Sequence, residues 1–210
     1  MDLMPHCSCG YDTKSCSDRW EGHYYGKGAN AVAGIRLDES FDSLMARVHN
    51  GKRDAKYADK AGCTTGFFQY PLYHADLNAI HHSKEVRCGG PMKGHYREYL
   101  DESQPQLSSV VEQTCPYHWR KDFGIFAEGH LVGYIGLVRV GDTATYMQIM
   151  GHGDWLDRGI MFRLHFDLME WALSSPPELE GVDAVWYTDF RGPKGLSLWK
   201  RKAGFQEVWL

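Results

Sequence analysis

The chain has 210 residues, 43% hydrophobic and 24% charged, enough for one sizeable core with an elaboration and short for two independent ones. No run of about 18 apolar residues occurs, and the opening Met1-Asp-Leu-Met-Pro-His-Cys7 has neither a basic nor an apolar stretch, so no membrane span or secretory leader is expected. Lys plus Arg (23) against Asp plus Glu (27) gives a net charge of −4, which argues against the broad basic surface of a non-specific nucleic-acid binder and leaves room for a local basic groove.

Six cysteines, at 7, 9, 16, 63, 88 and 115, are too sparse for a disulfide scaffold and read as reduced thiols of a cytoplasmic protein. The first 35 residues mix Cys, Gly, Ser, Tyr and charge without an apolar period and read as an irregular collar. From Ser40 the spacing of Phe41, Leu44, Met45 and Val48 predicts a helix that stops at Asn50-Gly51, with the basic stretch Lys52 to Lys60 as its solvated continuation. Gly62 to Gly66 breaks the chain, and Phe67-Phe-Gln-Tyr70 restarts it. Short helices are expected around 75–82 and 92–100, and Gln104 to Gln113 is polar enough for a linker. Residues 1–66 therefore read as an irregular and helical extension, and 67–210 as the main domain.

The second half has cleaner periods. Phe123 to Ala127 and Leu131 to Val140 flank the turn Glu128-Gly-His130, and Thr143 to Met150 adds a third strand after Gly141-Asp142. Gly151-His-Gly-Asp154 breaks that strand, and a helix follows from about Asp157 to Ser174 with one polar stripe of Arg163, Asp167, Glu170 and Ser174. Pro176-Pro177 ends it. Val182 to Tyr187 reads as a buried strand, Gly195 to Lys202 as a short helix and Phe205 to Leu210 as a last strand. The order is β-β-β-α-β-α-β, an α/β (α+β) arrangement.

That order, together with Lys202-Ala-Gly-Phe205 closing the last helix, resembles the GCN5-related N-acetyltransferase (GNAT) superfamily and the related Fem-type aminoacyl transferases. The resemblance covers roughly residues 123–210. It implies a mixed central sheet with flanking helices, and transfer of an acyl group from acetyl-CoA or another acyl-CoA to an amine. In such a fold one strand parts from its neighbour and exposes backbone groups to the pantetheine arm, while the next helix offers free N–H groups to pyrophosphate. Carried onto this chain, the resemblance places the cofactor on Ile149, Met150, Gly151, Arg158, Gly159 and Ile160. Gly159 matches the first glycine of the family's phosphate loop, whereas Leu156 and Met161 stand where that loop has other residue types. Trp199 occupies the place of the family's proton-donating tyrosine, and Gly192 that of an asparagine seven residues earlier.

His152, flanked by glycines, has the chemistry to take a proton from an attacking ammonium, or to bond a loop carbonyl. Asp189 is a base, an orienter of the amine or a turn residue, and Tyr187 is a candidate replacement acid. Gln148 and Tyr146 alternate with Met147 and Ile149, which puts both polar groups on one face beside the presumed thioester. Tyr73-His74, His81-His82, His95-Tyr96 and Tyr117-His-Trp119 are expected to line an acceptor pocket. No Cys/His spacing matches a metal site, the N-terminal Cys7, Cys9, Cys16 and His23 included. The basic run from Ser83 to Arg97 reads as a solvated face or an anion-holding patch. Expected partners are a small-molecule or macromolecular amine acceptor and no membrane, with nucleic acid not favoured. Two alternatives stand beside acyl-CoA transfer: a nucleobase-modifying or aminoacyl-transferring enzyme on the same fold, and a degenerate fold used as a binding module.

Overall fold

The computed structural model describes residues 31–87, 90–92, 96, 98 and 115–208. The N-terminal Cys/His group, most of the expected helix at 92–100 and the polar stretch at 104–113 lie outside the described residues. The elements in chain order are β1 (Val32–Arg36), α1 (Phe41–Arg47), α2 (His49–Lys60), β2 (Thr64–Phe68), a 3-10 turn (Tyr70–Tyr73), α3 (His74–His82) and a two-strand ribbon of β3 (Val86–Arg87) and β4 (Gly90–Pro91). Then follow β5 (His118–Ala127), β6 (His130–Val140), β7 (Thr143–Gly151), a 3-10 segment (Gly153–Arg158), α4 (Ile160–Leu173), a 3-10 turn (Pro177–Leu179), β8 (Ala184–Asp189), α5 (Lys194–Lys202) and β9 (Gln206–Val208).

Seven strands form one sheet in the order β2-β5-β6-β7-β8-β1-β9. Its contacts are antiparallel except that between β7 and β8. One face is the main core, where Leu44 of α1, Ala55 and Ala58 of α2, and Ile160, Leu164 and Leu168 of α4 meet Ile35, Ile125, Ile135 and Val185 of the sheet. The other face carries a smaller cluster of Tyr70, Leu77, Ile80, Leu131 and Tyr134 beneath α3.

Two elements differ from the sequence reading. The stretch at 32–36, expected in an irregular collar, is an inner strand between β8 and β9, so the segment read as an extension supplies part of the central sheet and two covering helices. Val32 to Ile35 are all buried, and a strand buried on both faces shows no alternation for a sequence pattern to detect. Gly51, expected to stop the helix, lies inside α2, and the break falls at Val48 with φ −110° and ψ 40°. A side chain at 51 would run into the Lys202 carbonyl and press on the Phe166 ring, so this glycine is a close-approach residue.

Inside α4, His165 interrupts the apolar side and is fully buried. Its Nε2 bonds the Ala203 carbonyl at 2.9 Å and its Nδ1 meets the Tyr146 hydroxyl at 3.1 Å, so a neutral ring with the proton on Nε2 satisfies both. Burial pulls its pKa down from 6.5 to about 4. The unfolded chain therefore binds the extra proton between those values, and stability present above pH 6.5 is lost as pH falls toward 4. The expected loss is on the order of 3 kcal/mol. Urea unfolding at pH 7 and pH 4.5 should show it. The variant His165→Leu should be less stable at pH 7 and lose that part of the pH slope.

Candidate active site

The β7–β8 contact consists of Ala144↔Val185 and Thr145↔Trp186. Beyond it β7 follows β6 to the pair Gly133↔Gly151, while β8 follows β1 to Val32↔Asp189. The two strands thus part toward their C-terminal ends. A bulge adds to the divergence: Leu137 opposes Tyr146 and Gly136 opposes Gln148, so Met147 is the inserted residue that bends β7.

On the α4 and α5 side, the wedge rests on a bed of rings. The Tyr146 ring lies 6.0 Å from Tyr187, 5.8 Å from His165 and 5.8 Å from Phe205. Trp199 of α5 completes the bed, 5.5 Å from His165 and 6.1 Å from Tyr187, and its indole N–H is buried without a hydrogen-bond partner. Lys200 is fully buried beside this bed, its ammonium 4.6 Å from the Tyr187 centroid. It donates to the Asp189 carbonyl and to the Thr188 hydroxyl at 3.1 Å, and makes no ion pair with a carboxylate among the described residues. Burial lowers its pKa from 10.5 to about 8, against a small opposing pull from Asp189. No periodicity or motif singled out Lys200. The one available signal was a lysine following Trp199 in a short helix.

The opposite face beside the bulge is polar. Arg120 donates to Asp122 at 2.7 Å and to the Gln148 side-chain oxygen at 2.7 Å, and the Gln148 amide donates to the Tyr96 hydroxyl at 3.0 Å. Asp122 is buried, and desolvation raises its pKa despite the Arg120 contact. The His81 Nε2 meets the Tyr134 hydroxyl at 2.8 Å, and the Arg120 guanidinium lies 5.4 Å over Tyr70. The bulge explains a departure from the sequence reading. It turns Tyr146 into the main core and Gln148 to the other face, so the two do not share one polar surface.

The sequence-derived residues take definite places. His152 caps the 3-10 segment, its Nδ1 accepting from the Asp154 N–H at 3.3 Å. Asp189 is exposed and accepts from the Arg191 N–H at 2.7 Å, the turn arrangement. Tyr187 is 8% exposed within the ring bed. No hydrogen bond joins His152 to Asp189 or Tyr187. Ile149 packs on the main core and Met150 on the smaller cluster. The Gly151 carbonyl accepts from Arg87 at 2.8 Å, and the Gly153 N–H donates to the Ser83 hydroxyl at 2.8 Å. Arg158 is exposed, its guanidinium 4.2 Å over the Trp155 ring. Ile160 is fully buried. Gly159 caps α4 with φ +70°, and a side chain there would run into the Asp54 carbonyl of α2. Its bareness admits a helix of this chain. The loop after β7 is likewise crowded, since a Cβ on Gly151 would stand 2.7 Å from the Met161 sulfur and 2.8 Å from Leu156.

No protein-family model matches the sequence. No curated protein matches it either. Solved structures do. The crystal structure of FemX aligns over 95% of this chain and 66% of its own, with TM-score 0.57 and 12% identity. The C-terminal domain of a protein described as a lysylphosphatidylglycerol synthetase, from Agrobacterium fabrum, aligns over 86% of this chain and 58% of its own, with TM-score 0.52 and 13% identity. A tandem GNAT protein from the clavulanic acid biosynthesis pathway aligns over 95% and 57%, with TM-score 0.49 and 14% identity. The chain has the GNAT/Fem-like fold and spans 58% to 66% of the length of the first two. No helix among the described residues is long and apolar enough to cross a membrane.

The variant Gly159→Ala meets both an unfavourable φ and the Asp54 carbonyl, and should cost about 2 to 4 kcal/mol, beyond the usual range for a surface position. Thermal unfolding reads it directly. A shift under 2 °C would mean that α2 does not seat on this turn.

Proposed function

We propose that this chain transfers an activated acyl or aminoacyl group to an amine. The observation that carries the reading is the parting of β7 and β8 after two residue pairs, above a bed of rings and beside a buried ammonium. A donor carbonyl entering the wedge would meet backbone on both strands. The amine attacks the carbonyl carbon, a C–N bond forms, and the C–S or C–O bond to the carrier breaks. The ammonium proton passes to His152, whose Nδ1 gives up only a long 3.3 Å bond to receive it. The remaining oxygen of Asp189 orients the amine. Tyr187 donates its proton to the departing thiolate or alkoxide, and the Lys200 charge near its ring stabilises the negative charge that develops there.

A specific observation bears on the donor. The backbone after β7 is engaged by Arg87 and Ser83, and the first turn of α4 is covered by α2. That arrangement favours an aminoacyl ester over acetyl-CoA or another acyl-CoA whose pyrophosphate would need this turn.

Incubation with acyl-CoAs and with aminoacyl-tRNAs, each against an amine panel, should yield an amide detectable by mass spectrometry. Tyr187→Phe should lower kcat about 100-fold with KM little changed. The rate should climb with pH as the amine is freed, then decline above about pH 8 as Lys200 loses its charge. Absence of product from every donor, with no donor binding by calorimetry, would remove this reading.

A further inference from the structure

Away from the wedge, α2 turns Gly51, Ala55 and Ala58 inward and His49, Lys52, Arg53, Lys56 and Lys60 outward, at i, i+3, i+4, i+7 and i+11. The outward residues form a single stripe about 16 Å long at helical rise. Among the described residues Lys52, Lys56 and Lys60 have no ion-pair partner. The acids of the same helix are paired: the exposed Asp59, flanking the stripe, meets Arg163 at 2.8 Å, Asp54 meets Lys202 at 2.9 Å, and Arg53 approaches Asp54 at 3.6 Å. Like charges at i and i+4 repel by a few tenths of a kcal/mol per pair. In a chain of net charge −4 this local concentration of cations suits an external anion.

One ring interleaves with these cations. Tyr57 is 51% exposed, with the Lys60 ammonium 5.9 Å from its centroid. Where the inner face of α2 meets Gly159, the exposed Arg158 lies over Trp155. Asp154 and Asp157, exposed on that same 3-10 segment, are the opposing charges there.

We infer that the outward face of α2 is a docking surface for the phosphodiester backbone of single-stranded nucleic acid. The cations take phosphates, and the exposed Tyr57 ring offers a stacking platform to an unpaired base. A lipid surface fits less well, because a helix lying in a membrane interface presents large aliphatic residues outward, and α2 presents none. The assignment stands apart from the transferase reading, since binding requires no turnover.

The test is fluorescence anisotropy of the full chain with a labelled 20-nucleotide single-stranded RNA between 50 and 300 mM salt, repeated with single-stranded DNA, duplex DNA and phosphatidylglycerol vesicles. Binding should weaken linearly in log–log form, and the combined Lys52→Gln, Lys56→Gln, Lys60→Gln variant should reduce the slope by about 2. Tyr57→Ala should weaken binding about tenfold at every salt concentration. Lys194→Gln, an exposed lysine on α5, should change neither. Thermal unfolding of each variant separates misfolding from lost contacts. A slope unchanged in the triple variant, no binding at 50 mM salt, preference for vesicles, or equal binding of duplex DNA without a Tyr57 effect would each overturn the assignment.

Discussion

Two pairs of residues, Ala144↔Val185 and Thr145↔Trp186, decide the shape of this molecule. They are enough to fix β7 and β8 as neighbours and too few to keep them together. Past that point each strand keeps its other partner: β8 stays with β1 through Ala33↔Tyr187 and Val32↔Asp189, and β7 stays with β6 as far as Gly151. Parting exposes backbone groups, a costly arrangement unless something else gains. The gain is the ring bed beneath, where Tyr146, Tyr187, His165 and Phe205 are nearly dry and every neutral polar contact of His165 is met. The wedge is therefore a consequence of where β1 and the ring bed pull.

Seating α2 against α4 changes what the familiar glycine positions mean. At the start of a helix after a parted strand, a glycine is ordinarily read as room for a phosphate. Here the space at Gly159 is occupied by the Asp54 carbonyl, and Gly51 in turn yields to the carbonyl of Lys202. Two bare positions let one helix of the chain lie against the first turn of α4 and the last turn of α5. The dipole end of α4 remains, but its approach is governed by α2 and by whatever α2 presents outward.

The meander, the long helix and the last two elements were legible because their periods are clean and their turns carry Gly, Asp and Pro. Most edges agree closely, as in Thr143 to Met150 against Thr143–Gly151 and Gly195 to Lys202 against Lys194–Lys202, whereas β5 begins at His118, five residues before the expected Phe123. What escaped had a physical reason in each case. A strand buried on both sides, Val32–Arg36, has no alternation to betray it. The inserted Met147 reverses the faces of residues after it, so counting by twos from Tyr146 to Gln148 gives the wrong side. The roles of Lys200 and of the Arg120–Asp122 pair depend on partners distant in sequence, Thr188 and Gln148 among them, and no local spacing announces such meetings. His152, Tyr187 and Asp189 were singled out by residue type and position at strand ends. In the structure His152 follows the last residue of β7, Asp189 is the last residue of β8 and Tyr187 lies in the ring bed, and no hydrogen bond joins His152 to the other two.

The two buried bases around the ring bed have opposite charge states at neutral pH, and that asymmetry gives the wedge a direction. His165, with a pKa of about 4, is uncharged on the α4 side. Lys200, at about 8, keeps most of its charge at the tip of β8. An ammonium buried without a carboxylate partner is expensive, and carbonyl dipoles of Thr188 and Asp189 offset only part of that cost. The ammonium lies 4.6 Å from the Tyr187 centroid, at the side of β8 that parts from β7. A neutral ligand would gain little from it. A group that becomes negative while bound would gain most, which is the electrostatic condition of a departing thiolate or alkoxide rather than of a resting amide.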